Sequence, residues 1–289
     1  MPYRHIDVRD LPQWSPWPAR LLGVEEWRRP TRTVEKIDTE YDKDKYASYL
    51  DFFRTHREEA TPERVREREL VHEPSSEVVA SLGDDIIVGT WSETCARYDQ
   101  LLNKTMRDAI AQAGCAVELG SGWGYHLWEL SRTIDAQFYG YDYSPNAITL
   151  AEEIFASEPR IHVARFDYYA NEYDSIFRAL ARAGFGRVVV YTSHSIEQLP
   201  SAANVIKVLS RYADQIATVF HFEPAYDLHR DDLLGLMRRA YAIANDYNRD
   251  LVAQLRSRRD IRILRAEADV LGRVPFNPTS VIQWEFARG

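Results

Sequence analysis

The chain has 289 residues, of which 45% are hydrophobic, and a formal net charge of −8. This length allows one well-filled domain with additions or two modest domains, while the acidic balance disfavours nucleic acid or anionic membranes as partners. Two cysteines, Cys95 and Cys115, are too few for a disulfide framework or a cysteine-rich metal site.

No apolar run approaches the roughly 20 residues that span a bilayer, and the N-terminus has no apolar core of signal-peptide length. We therefore expect a cytoplasmic protein without a membrane partner.

The composition of the first ninety residues predicts an arm followed by a mainly helical lid. Prolines and tryptophans between Pro12 and Pro18 favour an irregular arm. Residues 33–70 are mostly good helix formers, and Thr61-Pro62 predicts the start of a second helix, with Thr61 as its cap.

After the lid, which we place in residues 1–90, the pattern changes to alternating strands and helices over residues 91–289. A helix over Trp91–Ala113 comes first. Strands are predicted over 116–119, 137–141, 161–166, 188–191 and 216–220, with helices through 132 and 155 and over 172–183 and 200–212. A long helix over 228–256 then precedes a closing hairpin of 260–266 and 280–286. Such alternation predicts an α/β fold with a parallel sheet covered on both faces.

A glycine-rich turn joins the first of these strands to its helix, in the sequence Glu118-Leu119-Gly120-Ser121-Gly122-Trp123-Gly124. Glycines at such a junction let the backbone approach a ligand and point helix N-terminal amides at it. The dinucleotide fingerprint G-x-G-x-x-G is not matched, because Tyr125 stands at its third glycine position, and no P-loop sequence occurs. The spacing acidic-x-G-x-G-x-G resembles the class I S-adenosylmethionine-dependent methyltransferases.

This resemblance covers roughly residues 90–289 and implies a Rossmann-like, seven-stranded, mostly parallel sheet with an antiparallel C-terminal hairpin. It also implies S-adenosyl-L-methionine as the cofactor, with Glu118 near the methionine moiety and the glycines leaving room for it. The predicted cofactor-binding residues are Glu118, Gly120, Ser121, Gly122, Gly124, Asp142, Tyr143, Asp167, Tyr168 and Thr192.

Two aspartates in this set follow the second and third strands. Asp142 lies 20 residues beyond Gly122, where a carboxylate can accept hydrogen bonds from both ribose hydroxyls. It could instead cap the helix that starts near Pro145. Asp167 occupies a position where the family often places an acidic residue against the adenine amino group, although a loop role is equally compatible with the sequence.

Acceptor-side residues are expected at the ends of the fourth and fifth strands, because these ends lie beside the cofactor. Four candidates for catalysis occur there, namely His194, Glu197, His221 and Glu223. His194 could be the general base for a hydroxyl or carboxyl acceptor, or could donate a hydrogen bond within its loop. The two glutamates could bind a cationic amine or guanidinium, or could be structural.

Other acceptor-side and metal-site patterns are weaker. His221-Phe222-Glu223 matches half of the zinc deaminase signature, but the P-C-x-x-C half is missing, so we predict no metal site. Tyr241, Asn245 and Asn248 would share one face of the long helix and could line the acceptor cavity, or form an exposed polar face.

The sequence thus predicts methyl transfer to an oxygen or nitrogen of a small-molecule or peptide acceptor, in specialised metabolism such as natural product biosynthesis. A homodimer is compatible with the sequence. A catalytically inactive methyltransferase-like binding subunit and a nucleotide-dependent oxidoreductase remain as alternatives. Nucleic-acid methylation is disfavoured by the acidic balance, and the fourth strand is not followed by an Asn/Asp-Pro-Pro-aromatic motif.

Overall fold

A single mixed sheet organises the computed structural model of the chain, which describes residues 3–69, 72–170 and 173–287. The strands are β1 (Arg4–Ile6), β2 (Glu77–Leu82), β3 (Asp85–Thr90), β4 (Cys115–Leu119), β5 (Gln137–Asp142), β6 (Ile161–Arg165), β7 (Val188–Ser193), β8 (Ile216–Glu223), β9 (Ile261–Gly272) and β10 (Thr279–Phe286). Their order in the sheet is β1-β3-β2-β9-β10-β8-β7-β4-β5-β6.

Helices cover both faces of this sheet. They are α1 (Trp17–Leu21), α2 (Val34–Ile37), α3 (Ala47–Thr55), α4 (Pro62–Glu69), α5 (Trp91–Ala113), α6 (Tyr125–Ser131), α7 (Pro145–Ile154), α8 (Tyr173–Arg182), α9 (Ala203–Leu209), α10 (Leu233–Ala244) and α11 (Leu251–Arg256). A π-helix over Asp38–Tyr46 joins α2 to α3. Within the described ranges, no helix is both long enough and apolar enough to cross a membrane.

The five strands β8-β7-β4-β5-β6 pair in parallel and form the central part of the sheet. Both of their faces are buried: Val117 and Val190 belong to the apolar cluster on one face, and Ala116 and Val189 to the cluster on the other. Because the chain leaves β4 for β5 on one side and returns to β7 on the other, the carboxyl end of β4 is a topological switch point, where such sheets form a crevice for ligands.

Several elements confirm the sequence-based predictions. Helix α5 has the predicted bounds, starting at a capping box of Thr90 and Glu93 and ending at Gly114 with φ 69°. Helix α4 begins at Pro62, as predicted. The predicted antiparallel C-terminal hairpin is β9–β10. The predicted helix positions Leu70 and residue 172 lie outside the described residues.

The expectation of a seven-stranded, mostly parallel sheet is wrong, although the α/β class is confirmed. Over the described residues, the sheet has ten strands, with five antiparallel and four parallel pairings. The difference arises in residues 1–90, which contribute three strands as well as helices. The β2–β3 hairpin joins the sheet through the pairing of Ser81 and Leu82 with β9. One sheet therefore extends across the boundary predicted at residue 90.

The single long helix predicted over 228–256 is also wrong. The helix is interrupted between α10 and α11, where Asp246 has φ 57°. The Asn248 side chain accepts hydrogen bonds from the backbone N–H groups of Asp250 and Leu251, and its own N–H donates to the Glu197 carbonyl at 2.8 Å. This tie to the loop after β7 replaces helical hydrogen bonds, so Asn248 does not continue the face that carries Tyr241.

Candidate active site

A cavity of about 560 Å³ lies at the carboxyl ends of the parallel strands, beneath the N-terminal segment. Its size is typical of sites that enclose a small-molecule ligand. Ten of the predicted site residues line it, namely Glu118, Gly120, Ser121, Gly122, Asp142, Tyr143, Asp167, Tyr168, His194 and Glu197. The structure does not bring Gly124, Thr192, His221 or Glu223 to its lining.

The glycine-rich turn forms one wall of this cavity. Gly120 and Gly122 have φ values of 77° and 55°, in the left-handed region that glycine adopts without a steric penalty. A Cβ on Gly120 would lie 1.8 Å from the Ser195 Oγ, and one on Gly122 would lie 2.5 Å from the Tyr46 hydroxyl. The turn is thus in close contact with the loop after β7 and with the N-terminal segment.

Asp142 lies beside this turn and is oriented by two backbone donors. Its Oδ2 accepts the N–H of Gly122 at 2.7 Å, and its Oδ1 accepts the N–H of Ser144 at 2.9 Å. Burial raises the pKa of this carboxyl to about 6, even though both backbone hydrogen bonds favour its ionised form. Each oxygen keeps a lone-pair direction for a further donor, so the carboxylate can accept two hydroxyl hydrogen bonds from a ligand.

Glu118, at the end of β4, is only 1% exposed and is held by two side chains. Its Oε1 lies 3.1 Å from Nδ1 of His126, and its Oε2 accepts the Tyr191 hydroxyl at 3.0 Å. His126 also lines the cavity. His126 was not among the residues predicted from the sequence, although its position two residues after Gly124 places it in the first turn of α6.

His194 and Glu197 form a hydrogen-bonded pair in the loop after β7. The Nδ1 of His194 lies 3.1 Å from the Glu197 carboxylate, and its Nε2 lies 2.7 Å from the Thr279 hydroxyl. Burial alone would raise the pKa of Glu197, but His194 and the Asn277 amide lower it, so the carboxylate is ionised. His194 has φ 50°, an unfavourable backbone conformation for histidine that is maintained by the surrounding contacts.

His221 and Glu223 are buried below this loop. His221 is 1% exposed, its Nδ1 lies 2.9 Å from the Thr192 hydroxyl, and burial lowers its pKa to about 3. Glu223 accepts the backbone N–H groups of Ser195, Ile196 and Glu197 at 2.9 to 3.2 Å. Burial raises the pKa of Glu223 to about 7, and the negative charge of the Glu197 carboxylate contributes to this increase. Because both side chains are buried away from the cavity, their positions do not support direct contact with an acceptor.

Replacing Glu223 with glutamine should destabilise this loop. The glutamine amide cannot accept the Glu197 N–H if its oxygen accepts the other two, so one buried donor loses its partner. We expect the free energy of unfolding to fall by about 1–3 kcal/mol, measured by urea denaturation. The exposed Glu158 provides a matched control, since Glu158→Gln should change stability by less than about 0.5 kcal/mol. Equal stability of both variants would contradict the role given to Glu223.

The π-helix over Asp38–Tyr46 packs next to Asp142. Asp42 accepts hydrogen bonds from the Ser144 hydroxyl and from the Asn146 N–H, and so contacts the first turn of α7. Tyr46, at the end of the same π-helix, packs on Gly122. The segment predicted as a lid therefore contacts both the glycine-rich turn and the helix that follows Asp142.

The cavity extends from His194 into a polar, aromatic region that the sequence analysis largely missed. This region is lined by Tyr41 of the π-helix, Tyr241 of α10 and Tyr247. Burial raises the pKa values of all three tyrosines, so their hydroxyls stay neutral. Gln198 donates its amide to Glu197 at 3.0 Å, which leaves its Oε1 facing no partner within the described ranges. Of the three helix residues predicted to line the acceptor cavity, only Tyr241 does so.

No group of three or more His, Cys, Asp or Glu side chains in the described part of the chain is arranged to hold a metal ion. The residues that line the cavity instead provide hydrogen-bond donors and acceptors. At one end, Asp142 and the glycine-rich turn can hold a nucleoside. At the other, the His194–Glu197 pair and the tyrosines can contact a second molecule.

No protein-family model matches the sequence, and no curated protein matches it. Solved structures do match at low similarity. The pyocyanin biosynthetic protein PhzM is 16% identical over 60% of this chain and 50% of its own, with a TM-score of 0.42. The O-methyltransferase NcsB1 from neocarzinostatin biosynthesis, solved with S-adenosylmethionine and 2-hydroxy-5-methyl naphthoic acid, is 16% identical over 67% of this chain and 57% of its own (TM-score 0.42).

A third similar structure is geranyl diphosphate C-methyltransferase from Streptomyces coelicolor A3(2), which is 10% identical over 68% of this chain and 82% of its own, with a TM-score of 0.45. The chain spans half of PhzM. The fold is assigned from the strand topology of this chain. Five parallel strands end in an antiparallel hairpin, and the acidic-x-G-x-G-x-G turn follows the first of them. The chain therefore has the class I S-adenosylmethionine-dependent methyltransferase fold.

Proposed function

We propose that this protein transfers a methyl group from S-adenosylmethionine to an oxygen or nitrogen of a small-molecule or peptide acceptor, in specialised metabolism. The observation that carries this proposal is the position of Asp142. Its carboxylate is fixed by the Gly122 and Ser144 N–H groups and keeps one accepting direction on each oxygen, which suits the two vicinal hydroxyls of a ribose.

The cofactor would occupy the side of the cavity formed by the turn. Asp142 would accept the ribose hydroxyls, and Tyr143 and Asp167 line the wall next to it, where an adenine would extend. S-adenosylmethionine supplies an electrophilic methyl group, whose bond to sulfur breaks as the bond to the acceptor atom forms. The residues of the chain need only orient the acceptor, exclude water and accept its proton.

We assign His194 as the general base that accepts the proton of the acceptor. Donation of its Nδ1–H to the ionised Glu197 would leave the lone pair of Nε2 available as a base, and Glu197 would stabilise the imidazolium that forms. In the structure, Nε2 is engaged by the buried Thr279 hydroxyl, so this hydrogen bond must break before Nε2 can accept a proton from the acceptor. Gln198 Oε1 and the tyrosine hydroxyls can orient an acceptor that carries further hydroxyl groups.

A non-catalytic binding subunit is the second candidate. One observation favours it, namely that both ring nitrogens of His194 already have protein partners. This candidate predicts cofactor binding without transfer to any acceptor that is offered.

Binding of S-adenosylhomocysteine, measured by calorimetry, tests the proposal. We expect the wild-type protein to bind S-adenosylhomocysteine with micromolar affinity and not to bind NADH. Asp142→Ala should weaken binding by about 1–3 kcal/mol, roughly fivefold to 150-fold, because the ribose loses a charged acceptor. Undetectable binding to the wild-type protein, or an affinity for NADH instead, would overturn the proposal.

The same titrations provide a pH test of Asp142. Only the ionised carboxylate accepts both ribose hydrogen bonds, so ligand binding favours deprotonation. With a pKa of about 6, affinity should be constant above this pH and fall by up to tenfold per unit below it. Asp142→Ala should remove this pH dependence. A variant that keeps the wild-type profile would assign the titration to another group.

A further inference from the structure

Helix α10 has apolar residues on both its inner and its outer face. The inner face carries Leu234 and Tyr241, which are buried in one apolar cluster with Leu11 of the N-terminal segment. The outer face carries apolar residues at positions i, i+3, i+7 and i+10, which share one side of a helix, namely Leu233, Leu236, Ala240 and Ile243. A surface helix usually has charged or polar residues on the face that points away from the core. The outer face of α10 therefore lacks the composition of a solvated surface.

The segment from Trp17 to Trp27 lies alongside α10 and enlarges this face. The ring centroid of Trp17 lies 4.3 Å from that of Tyr241 and 4.7 Å from that of Trp27. The indole N–H of Trp27 donates to the Ala244 carbonyl at 3.2 Å. Leu21 packs on the apolar cluster that contains the inner face of α10. Directly beyond Leu21, the chain exposes two more aliphatic side chains, those of Leu22 and Val24.

Six large apolar residues of this surface are between 37% and 81% exposed, and we call them the α10 patch: Leu22, Val24, Trp27, Leu233, Leu236 and Ile243. At roughly 200 Å² of accessible surface for a residue of this size, they present about 700 Å² to solvent. The largest apolar patch on a typical monomer covers about 300–600 Å², and a stable interface buries about 800 Å² per partner. The α10 patch is therefore large enough to form the centre of a protein–protein interface.

The charges next to the α10 patch are balanced. Three ion pairs border it, namely Arg20–Glu25, Arg29–Asp246 and Arg239–Asp231. Because these charges are neutralised within the chain, the border does not repel a second copy of itself. A lipid surface fits less well, since helices that lie on membranes carry a surplus of Lys and Arg beside their apolar face. The net charge of this chain is −8.

We propose that the α10 patch is the interface of a homodimer, in which α10 packs against the same helix of a second copy about a two-fold axis. Such a contact brings the same surface of both subunits together, so the surface must be complementary to itself. A stripe of aliphatic side chains between balanced charges meets this requirement. The opposite face of α10 presents Tyr241 to the cavity, so the second copy would fix this helix beside the acceptor region.

Sedimentation of the purified full chain at about 1–100 μM, a range in which an interface of this size associates, tests the proposal. We expect a species of twice the chain mass. Leu236→Glu should weaken the dimer by about a hundredfold or more, because the interface would then bury an unpaired carboxylate from each copy. Leu22→Glu, which changes the other part of the patch, should have the same effect. Both leucines are exposed in the single chain, so neither substitution introduces a charge into its core.

Leu264→Glu is the matched control, because Leu264 is an exposed leucine of β9 outside the α10 patch. This variant should dimerise as the wild-type protein does, and circular dichroism of each variant checks that it is folded. A wild-type chain that sediments as a monomer throughout the range would overturn the proposal, as would a dimer that both patch variants leave intact. Cosedimentation of a monomeric wild-type chain with phosphatidylcholine–phosphatidylserine vesicles would overturn it in favour of a membrane surface.

Discussion

Replacing His194 with alanine should lower kcat by about a hundredfold or more, which is the usual contribution of a positioned general base. The affinity for S-adenosylhomocysteine should change by less than about threefold, because Asp142 and the turn, which we assign to the cofactor, remain. His194 is suited to this role because Glu197, buried and ionised, fixes one ring nitrogen and can stabilise the protonated ring. Initial rates with an acceptor that the wild-type protein methylates measure the effect.

Thr279→Val is the matched control for this experiment. Thr279 does not line the cavity, and its hydroxyl contacts the ring nitrogen that must accept the proton. Removing that hydroxyl keeps the shape of the side chain and should leave kcat within about fivefold of the wild-type value. If His194→Ala is as active as the wild-type protein, the histidine is a structural residue of its loop and Glu197 becomes the candidate base.

The glycine-rich turn and Asp142 could be predicted from the sequence because their geometry is local. Three closely spaced glycines after an apolar strand allow few backbone conformations, and the structure shows positive φ at all three. Asp142 follows directly from the next strand, since parallel strands end at one edge of the sheet. The alternative that Asp142 caps the helix near Pro145 is wrong, because Ser144 is the N-cap of α7 and its side chain accepts the Ala147 N–H. Asp142 contributes only by accepting the N–H of Ser144.

The contribution of residues 1–90 could not be predicted in the same way. Tyr46 and Arg66 reach the site through tertiary contacts with Gly122 and Tyr125, and nothing in their local sequence distinguishes them from residues of an exposed helix. The alternating charges around Arg66 are typical of a solvated helix face, yet this arginine is largely buried against the site. Contacts between segments far apart in the chain leave no periodic signal.

His221 and Glu223 show a different limit of sequence analysis. The strand predicted over 216–220 extends to Glu223, so both residues lie within β8 and not beyond its end. A strand in a sheet covered on both faces is buried on both sides, so alternation does not reveal which side chains reach a ligand. His221 packs beside Trp284 within the sheet, and Glu223 binds the backbone of the neighbouring loop. The fourth strand gave the better candidates because its polar residues extend into a loop beyond the strand end.

Gly120→Ala should have the largest effect on cofactor binding. At φ 77° an L-residue costs about 1–2 kcal/mol, and the new Cβ would lie 1.8 Å from the Oγ and 2.6 Å from the Cβ of Ser195. Ser195 cannot move away easily, because Glu223 accepts its backbone N–H and Tyr168 contacts its hydroxyl. The turn must therefore shift, and we expect S-adenosylhomocysteine binding to weaken by about a hundredfold or more, measured by calorimetry.

Gly184→Ala separates the backbone strain of this substitution from the steric clash. Gly184 has φ 85°, and no atom lies within 4 Å of the position of its Cβ, so alanine there meets similar strain without a collision. Gly184→Ala should lower the free energy of unfolding by about 1 kcal/mol and leave cofactor affinity unchanged. If Gly120→Ala also kept wild-type affinity, the contact between the turn and Ser195 would not determine the shape of the cofactor site. If Gly120→Ala loses cofactor affinity and Gly184→Ala does not, the contact between Gly120 and Ser195 positions both the loop that carries His194 and the turn beside Asp142. This shared contact would couple acceptor chemistry to cofactor binding.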